Sequence, residues 1–169
     1  MEGNVASAKT THFSKYILIN RKVYQDSFTW QDVWSSTGYT DVEVVLVIDD
    51  SGSMDWNDAN NERLIVAQNL VNNLPDGSKV GVVKFASVTS ILTSSITDDK
   101  SMANKYLSTN YFRSYGNTYM YTAINSAFSL FESDEDTTLK MMIVLSDGIA
   151  HDTSKHSSVI STANNNNVK

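Results

Sequence analysis

The stretch that decides the fold runs from residue 43 to residue 53 and reads Glu43-Val44-Val45-Leu46-Val47-Ile48-Asp49-Asp50-Ser51-Gly52-Ser53. Its first part is an almost unbroken apolar run, which is typical of a strand buried on both faces of a parallel sheet. Two more runs have this character, Val80 to Phe85 and Met141 to Leu145. The three runs predict neighbouring strands of one sheet, and Thr89 to Thr93 predicts a short edge strand.

Apolar residues at helical spacing lie between and after these runs, in three stripes. The stripes are Leu64, Ala67, Val71 and Leu74; then Met120, Ala123, Ile124, Ala127, Phe128 and Phe131; then Val159, Ile160 and Ala163. The first predicts a helix that ends at Pro75, and the second a helix over residues 119–131. Strands that alternate with helices predict an α/β fold with a Rossmann-like, doubly wound, mostly parallel sheet flanked by helices.

The composition limits the functions to consider. The 169 residues are 41% hydrophobic, carry a formal net charge of −6 and include no cysteine. The acidic balance argues against nucleic-acid or anionic-membrane binding. The lack of cysteine excludes disulfides, zinc–thiolate sites and thiol nucleophiles. No stretch is long and apolar enough to span a membrane, and the polar start lacks the apolar core of a signal peptide.

Three segments of the chain differ in composition. Residues 1–11 predict a disordered lead-in. Residues 12–40 are rich in aromatic side chains and predict an extension that packs on the next domain, or the tail of a preceding one. An aromatic platform for carbohydrate is the alternative there. Residues 41–169 contain the predicted strands and helices and form the expected domain.

Polar residues stand where the predicted strands end and where a helix begins. Asp49, Ser51 and Ser53 follow the first strand, Asp147 follows the last, and Thr118 opens the second helix. Ligand sites in such sheets lie outside the carboxyl ends of the strands, so these side chains should converge. Two carboxylates held together repel unless a cation lies between them, and oxygen-only ligands select a hard cation. The pattern predicts a site for Mg²⁺ or, with the same ligands, Mn²⁺.

The order Asp49-x-Ser51-x-Ser53, then Thr118, then Asp147 resembles the metal-ion-dependent adhesion site of the von Willebrand factor A family, in the style of its bacterial surface and secreted members. The resemblance covers roughly residues 41–169. It implies that Ser51 and Ser53 ligate the cation directly and that Thr118 does so directly or through water. Asp49 and Asp147 would mostly hold coordinated waters and balance charge.

The resemblance also implies a function. A Glu or Asp of a protein partner would complete the coordination, which makes the chain a non-enzymatic, adhesion-type binding module. The expected location is extracellular or on a bacterial cell surface, with any export signal outside this chain. A metal-dependent hydrolase with Asp50 or His151 as general base is one alternative. An intracellular assembly subunit, as in chelatase-like and repair complexes, is another.

The chain departs from the family pattern in two places. Asn117 stands where the family often has Gly, and we expect the loop to tolerate it because Asn accepts left-handed backbone. The family also continues with a further strand and closing helix beyond the region where this sequence stops. We therefore expect the edge at Met141 to Leu145 to be covered by the remainder of a longer chain, by a strand near Tyr16, or by a second copy.

Each segment of the predicted metal site, taken alone, also has a purely structural interpretation. Asp49 to Ser53 could be a βα turn in which an Asp or a Ser caps a helix, Thr118 could cap the helix over 119–131, and Asp147-Gly148 is a common turn pair. A calcium-binding EF-hand loop is excluded because Met54 stands where that loop needs Gly. Asp50, Asp55 and Asp58 could form a secondary Ca²⁺ site, although solvated loop acids or helix caps are the simpler interpretation.

Overall fold

The computed structural model describes residues 38–133 and 135–169, and every structural statement below concerns those residues. The predicted lead-in at 1–11, nearly all of the aromatic segment at 12–40 and the proposed strand near Tyr16 lie outside them.

Four strands form one mixed sheet in the order β3-β2-β1-β4. They are β1 (Asp41–Asp49), β2 (Lys79–Phe85), β3 (Thr89–Ile91) and β4 (Thr138–Leu145). Strand β1 pairs in parallel with β2 on one side and with β4 on the other, whereas the edge strand β3 is antiparallel to β2. The predicted strands and the mostly parallel sheet are confirmed.

Five α-helices lie between or after these strands within the described residues. They are α1 (Met54–Asn57), α2 (Glu62–Asn73), α3 (Lys100–Tyr106), α4 (Met120–Ala127) and α5 (His156–Asn165). None of them is long and apolar enough to cross a bilayer.

Helices cover both faces of the sheet, which explains the unbroken apolar run of β1. Alternate side chains of β1 enter two separate cores: Val44 and Leu46 pack with residues of α2 and α3, while Val45 and Val47 pack with residues of α4 and α5. All four side chains are fully buried. Each contributes about 1.5–3 kcal/mol by leaving water, so β1 is fixed in the centre of a doubly wound fold.

The register aligns the strand ends that matter for function. Asp49 of β1 lies opposite Phe85 of β2, and Ile48 lies opposite Leu145 of β4. The three parallel strands therefore end at one level, and the segments that follow them leave the sheet side by side.

Two helices differ from the sequence prediction. The helix expected over 119–131 is the eight-residue α4, and Phe128–Leu130 continues it as a tighter 3-10 turn. Near this point Ser126 and Ser129 donate their hydroxyls to the carbonyls of Thr122 and Ser126, a pattern that bends helices and competes with their regular ladder. Helix α3 was not predicted; it is short and polar, and the Asp99 carboxylate caps it.

The outer edge of β4 is partly paired. Lys169 donates to the carbonyl of Lys140 and accepts from the amide of Met142, both at 2.9 Å. Val168 and Lys140 form an isolated parallel bridge. The chain thus begins to pair along β4 where the sequence predicted a next strand, while Met141 to Leu145 remain half-buried.

Candidate metal centre

Four of the five predicted site residues lie in one hydrogen-bonded cluster at the carboxyl end of the sheet. Asp49 accepts the backbone N–H of Ser51 at 2.7 Å. The Ser51 and Ser53 hydroxyl oxygens are 3.2 Å apart, and Ser53 donates to Asp147 Oδ1 at 3.0 Å. Because Asp147 is 94 positions from Ser53 along the chain, the register of β1 and β4 produces this contact.

Thr118 reaches the same rim through its loop. Gly52 donates to the carbonyl of Gly116 at 2.9 Å, which joins the 49–53 loop to the segment before Thr118. Gly116 has a φ of +92°, and a Cβ there would lie 2.7 Å from Ser87 Oγ, so only glycine fits.

The backbone of this loop differs from the sequence prediction at Asn117. Gly116 occupies the left-handed region, and Gly52 permits close approach, since a Cβ there would lie 3.4 Å from the Gly116 oxygen. Asn117 does not adopt a positive φ. The loop tolerates it because an ordinary backbone conformation suffices at that position.

The interpretation of Ser53 and Thr118 as helix caps is wrong. Ser53 stands at the N-cap of α1 but its side chain makes no capping hydrogen bond. Helix α4 begins after Tyr119, which makes none either, so Thr118 is not its cap. The hydroxyls of Ser51 and Ser53 face each other and Asp147 instead.

Asp49 and Ser51 are buried, whereas Asp147 is exposed, so the cluster opens to solvent on one side. Ser146 donates to Asp49 Oδ2 at 2.5 Å, and Asn57 donates to Asp147 Oδ2 at 2.7 Å. These contacts fix both carboxylates. Ser146 and Asn57 were not predicted; Asn57 in particular carries no sequence signal, because its contact depends on where α1 places it.

The other nearby carboxylates are occupied by other partners. Asp50 is buried, forms an ion pair with Lys84 at 2.9 Å, and accepts the amides of Arg113 and Ser114. Asp58 pairs with Arg63 and accepts the amide of Glu62 at the start of α2. Burial raises the pKa of Asp58, but hydrogen bonds from Arg63 and the α2 amides outweigh it and lower the pKa overall.

These contacts bear on the proposed secondary Ca²⁺ site. Asp58 caps helix α2, as the simpler interpretation predicted. Asp50, in contrast, is buried and is not a solvated loop acid. In the described residues no three Asp, Glu, His or Cys side chains converge. Asp50, Asp55 and Asp58 therefore do not form one cluster.

Arg63 is a buried cation beneath the cluster. Its Nε donates to the carbonyl oxygen of Asp49 at 2.9 Å, and Nη2 lies 3.4 Å from Ser114 Oγ. The guanidinium also lies 5.6 Å from the centre of the Phe112 ring. Arg63 thus joins helix α2, the end of β1 and the 113–118 loop; sequence reasoning missed it because charged residues on helices usually face solvent.

His151 contacts the backbone of Thr118 through two hydrogen bonds. Its Nδ1 accepts the Thr118 amide at 3.2 Å, and its own amide donates to the Thr118 carbonyl at 2.8 Å. The next residue, Asp152, caps α4 by accepting the amides of Tyr121 and Thr122. The segment after Asp147 therefore fixes the loop that carries Thr118.

The arrangement suits a hard cation. In an octahedral site with metal–oxygen distances of roughly 2.0–2.1 Å, adjacent ligand oxygens lie about 3 Å apart. The Ser51–Ser53 and Ser53–Asp147 oxygen pairs have this separation, at 3.2 and 3.0 Å. All donors are oxygen atoms, which selects Mg²⁺ or Mn²⁺ over softer metals.

The fold and this rim define a doubly wound α/β domain with polar loops gathered at its strand ends. The sequence profile of the von Willebrand factor type A domain matches residues 44–149, and the chain belongs to this family. The resemblance inferred from the sequence is thereby confirmed for the family and the fold.

Solved structures give the same fold. The conserved hypothetical protein BatB from Bacteroides thetaiotaomicron is 27% identical, with a TM-score of 0.61 over 76% of this chain and 63% of that chain. An aerotolerance-related membrane protein from Bacteroides fragilis is 26% identical, with a TM-score of 0.58 over 76% and 64% of the two chains. This chain therefore spans less than two thirds of either protein.

A third similar structure is the vWF domain of the type V pili tip protein Mfa5 from Porphyromonas gingivalis. It is 24% identical, with a TM-score of 0.53 over 64% of this chain and 38% of that chain, and it supports the fold alone. No curated protein matches the chain.

Proposed function

We propose that this domain is a divalent-cation-dependent protein-binding module of the adhesion type. A Mg²⁺ or Mn²⁺ ion would be held by Ser51, Ser53 and Thr118, with Asp49 and Asp147 binding it directly or through water. A Glu or Asp carboxylate of a protein partner would complete its coordination. The observation that carries the proposal is the chain of oxygens from Ser51 through Ser53 to Asp147, spaced as in an octahedral site.

The balance of charges supports a divalent cation. Lys84 neutralises Asp50 and Arg63 neutralises Asp58, so these acids add no net charge to the rim. Among the residues that the structure describes, only uncharged donors give hydrogen bonds to Asp49 and Asp147. One divalent cation matches these two carboxylates, and the neutral site that results can accept one more carboxylate from a partner.

Each residue around the proposed cation has a separate role. The bound cation supplies an electrophilic centre with an open position. Ser146 and Asn57 orient the two carboxylates, Arg63 fixes the end of β1, and His151 fixes the backbone of Thr118. These contacts hold the ligand oxygens at coordination spacing before a partner binds. Less conformational entropy is therefore lost on binding.

The contacts of Asp50 and His151 disfavour the hydrolase alternative. A general base needs a free lone pair near a substrate proton. Asp50 already accepts two amides and the Lys84 ammonium, and it is buried. His151 Nδ1 already accepts the Thr118 amide. We therefore propose a binding function without turnover.

The proposed location is a bacterial cell surface. Among the structural neighbours, one that is 26% identical is described as a membrane protein. The net charge of −6 is compatible with a partner captured through a cation rather than through direct attraction of its acidic groups. An intracellular assembly subunit is the alternative, and localisation of the full-length product by cell fractionation distinguishes the two.

Calorimetric titration with Mg²⁺ tests the proposal. Wild type should show one site, and Asp147→Asn should weaken it at least tenfold, a loss of about 1.4 kcal/mol, because the variant removes a charge and an oxygen ligand. Asp147 is exposed, so the variant should fold normally. Asp55→Asn is the matched control, since Asp55 is also an exposed acid, in the first turn of α1, and should leave the affinity unchanged.

The proposal would be contradicted if Asp147→Asn bound Mg²⁺ as tightly as wild type, or if both variants lost affinity equally. Equal losses would mean that the general negative charge of the rim, and not a defined site, attracts the ion.

A further inference from the structure

Large apolar side chains are concentrated around the candidate metal centre. Five are exposed on the segments at this end of the sheet: Trp56 by 71%, Val88 by 74%, Tyr115 by 83%, Tyr119 by 37% and Ile149 by 82% of their surface. They make up half of the exposed large hydrophobic side chains in the described residues, although these segments are a small part of that region. Clustered exposed apolar residues mark interaction surfaces, whereas scattered ones need no explanation. We call these five residues the apolar rim.

Backbone hydrogen bonds tie most of the apolar rim to the site loops. The Trp56 amide donates to the Ser53 carbonyl at 3.3 Å, and the Tyr115 amide donates to the Asp50 carbonyl at 2.8 Å. The Tyr119 amide donates to Ala86, and Ile149 follows Asp147 by two positions. The apolar rim therefore lies on or next to the segments that carry the proposed ligands, and a partner that reaches the cation will meet it.

A groove at this end of the sheet is lined by residues that include Tyr115, Val88, Lys84 and Arg113. Lys84 is paired with Asp50. Arg113 is exposed and makes no ion pair with any residue that the structure describes. The groove thus combines apolar walls with one available cation, which favours a partner that is acidic as well as apolar.

We propose that the apolar rim selects protein segments in which the metal-binding Glu or Asp is flanked directly by large apolar side chains. This inference rests on the proposed function and specifies its partner. Tyr and Trp are enriched among residues that dominate interface energies, and apolar neighbours would exclude water from the metal–carboxylate bond. The carboxylate supplies attachment, and the flanking side chains supply selectivity between acidic segments.

Two synthetic peptides test the inference with the full chain in Mg²⁺. One has a single glutamate with leucine and phenylalanine on each side, and the other has serine at those flanking positions. Amide chemical shifts of the isotope-labelled protein give both the affinity and the location of binding. We expect the apolar peptide to bind at least about tenfold more tightly, with its extra shifts at Val88 and Tyr115.

Substitutions separate the apolar rim from general hydrophobicity. Tyr115→Ser and Ile149→Ser should each weaken the apolar peptide about fivefold to tenfold and leave the serine peptide and Mg²⁺ affinity unchanged. Ile65→Ser and Val66→Ser are matched controls, because these residues are 53% and 55% exposed but lie on helix α2. Neither control should alter peptide binding.

The outcomes distinguish the two proposals. If Mg²⁺ binds but the peptides bind equally or not at all, or if Ile65→Ser weakens the apolar peptide as much as Tyr115→Ser does, the apolar rim is not the selective surface. If the apolar peptide is preferred even in EDTA, the apolar rim stands as a recognition surface and the metal-dependent function is wrong.

Discussion

Arg63 is a buried charge on which three loops depend. It contacts the Asp49 carbonyl, the Asp58 carboxylate and Ser114, and only 4% of its side-chain surface is exposed. A buried charge is tolerated only when it is paired, and removing one partner leaves the other uncompensated. Arg63 therefore links the stability of the domain to the shape of the proposed site.

We predict that Arg63→Met lowers the free energy of unfolding by about 2–4 kcal/mol, because Asp58 and the Asp49 carbonyl lose their partner. Urea denaturation measures this loss. Glu132→Gln is the control: Glu132 is half exposed, its pair with Lys79 spans 3.4 Å at the surface, and the loss of that pair should cost less than about 1 kcal/mol. Equal losses in the two variants would mean that Arg63 has no special role.

Single residues also show what the sequence could and could not predict. Asp49, Ser51, Ser53 and Asp147 could be predicted to converge, because each follows a strand whose apolar run is recognisable and parallel strands end at one edge. The contacts of Asn57, Arg63 and His151 could not, since each joins loops or helices far apart in the sequence. Their side-chain types have many common surface roles, so no local pattern marked them.

At the scale of elements, helix α4 depends on a cap from outside its own segment. Asp152 accepts the Tyr121 and Thr122 amides at 3.2 and 2.7 Å, and Lys155 donates to the Thr122 hydroxyl at 2.7 Å. The sequence prediction placed the start of this helix to within one residue, whereas the alternative in which Thr118 caps it is wrong. Capping by a residue next to the helix is the usual pattern, but here the cap is Asp152, which follows β4 in the chain.

Asp152 should make the stability of the domain depend on pH. Burial raises its pKa, but hydrogen bonds from the Thr122 hydroxyl and the Thr122 and Tyr121 amides outweigh burial and lower the pKa overall. Because the folded pKa is below the unfolded value of about 3.9, the carboxylate stabilises the fold fully above that value. This contribution is lost as the pH falls through the lower, folded pKa.

We expect Asp152→Ala to cost about 1 kcal/mol at pH 7, the usual worth of a helix cap. The difference between wild type and variant should shrink as the pH drops below about 4, because wild type then loses the same carboxylate. Chemical denaturation at a series of pH values measures it. A difference that stayed constant down to pH 2 would show that packing, and not the charged cap, accounts for the loss.

At the scale of the whole molecule, the site unites segments that are distant in sequence. Loops after β1, after β2, before α4 and after β4 meet through the contacts of Gly52 with Gly116, Asn117 with Ser87, and Ser53 with Asp147. A cation bound there would connect these loops only in the folded state. Its binding free energy should therefore add to the stability of the whole domain.

We predict that Mg²⁺ raises the thermal midpoint of wild type and not that of Asp147→Asn. At a free Mg²⁺ concentration one hundred times Kd, the gain should be about 2.7 kcal/mol. Thermal scans with and without EDTA test this, with KCl at equal ionic strength as the control for screening. A rise that KCl reproduces, or that the variant shares, would indicate a general salt effect.

The most direct test of the central claim is a crystal structure of the domain grown with Mn²⁺, with anomalous data collected at the manganese edge. The account predicts one strong peak within coordination distance of Ser51 Oγ and Ser53 Oγ, near Thr118, Asp49 and Asp147. A peak at other residues only, or no peak at this cluster in millimolar Mn²⁺, would contradict it.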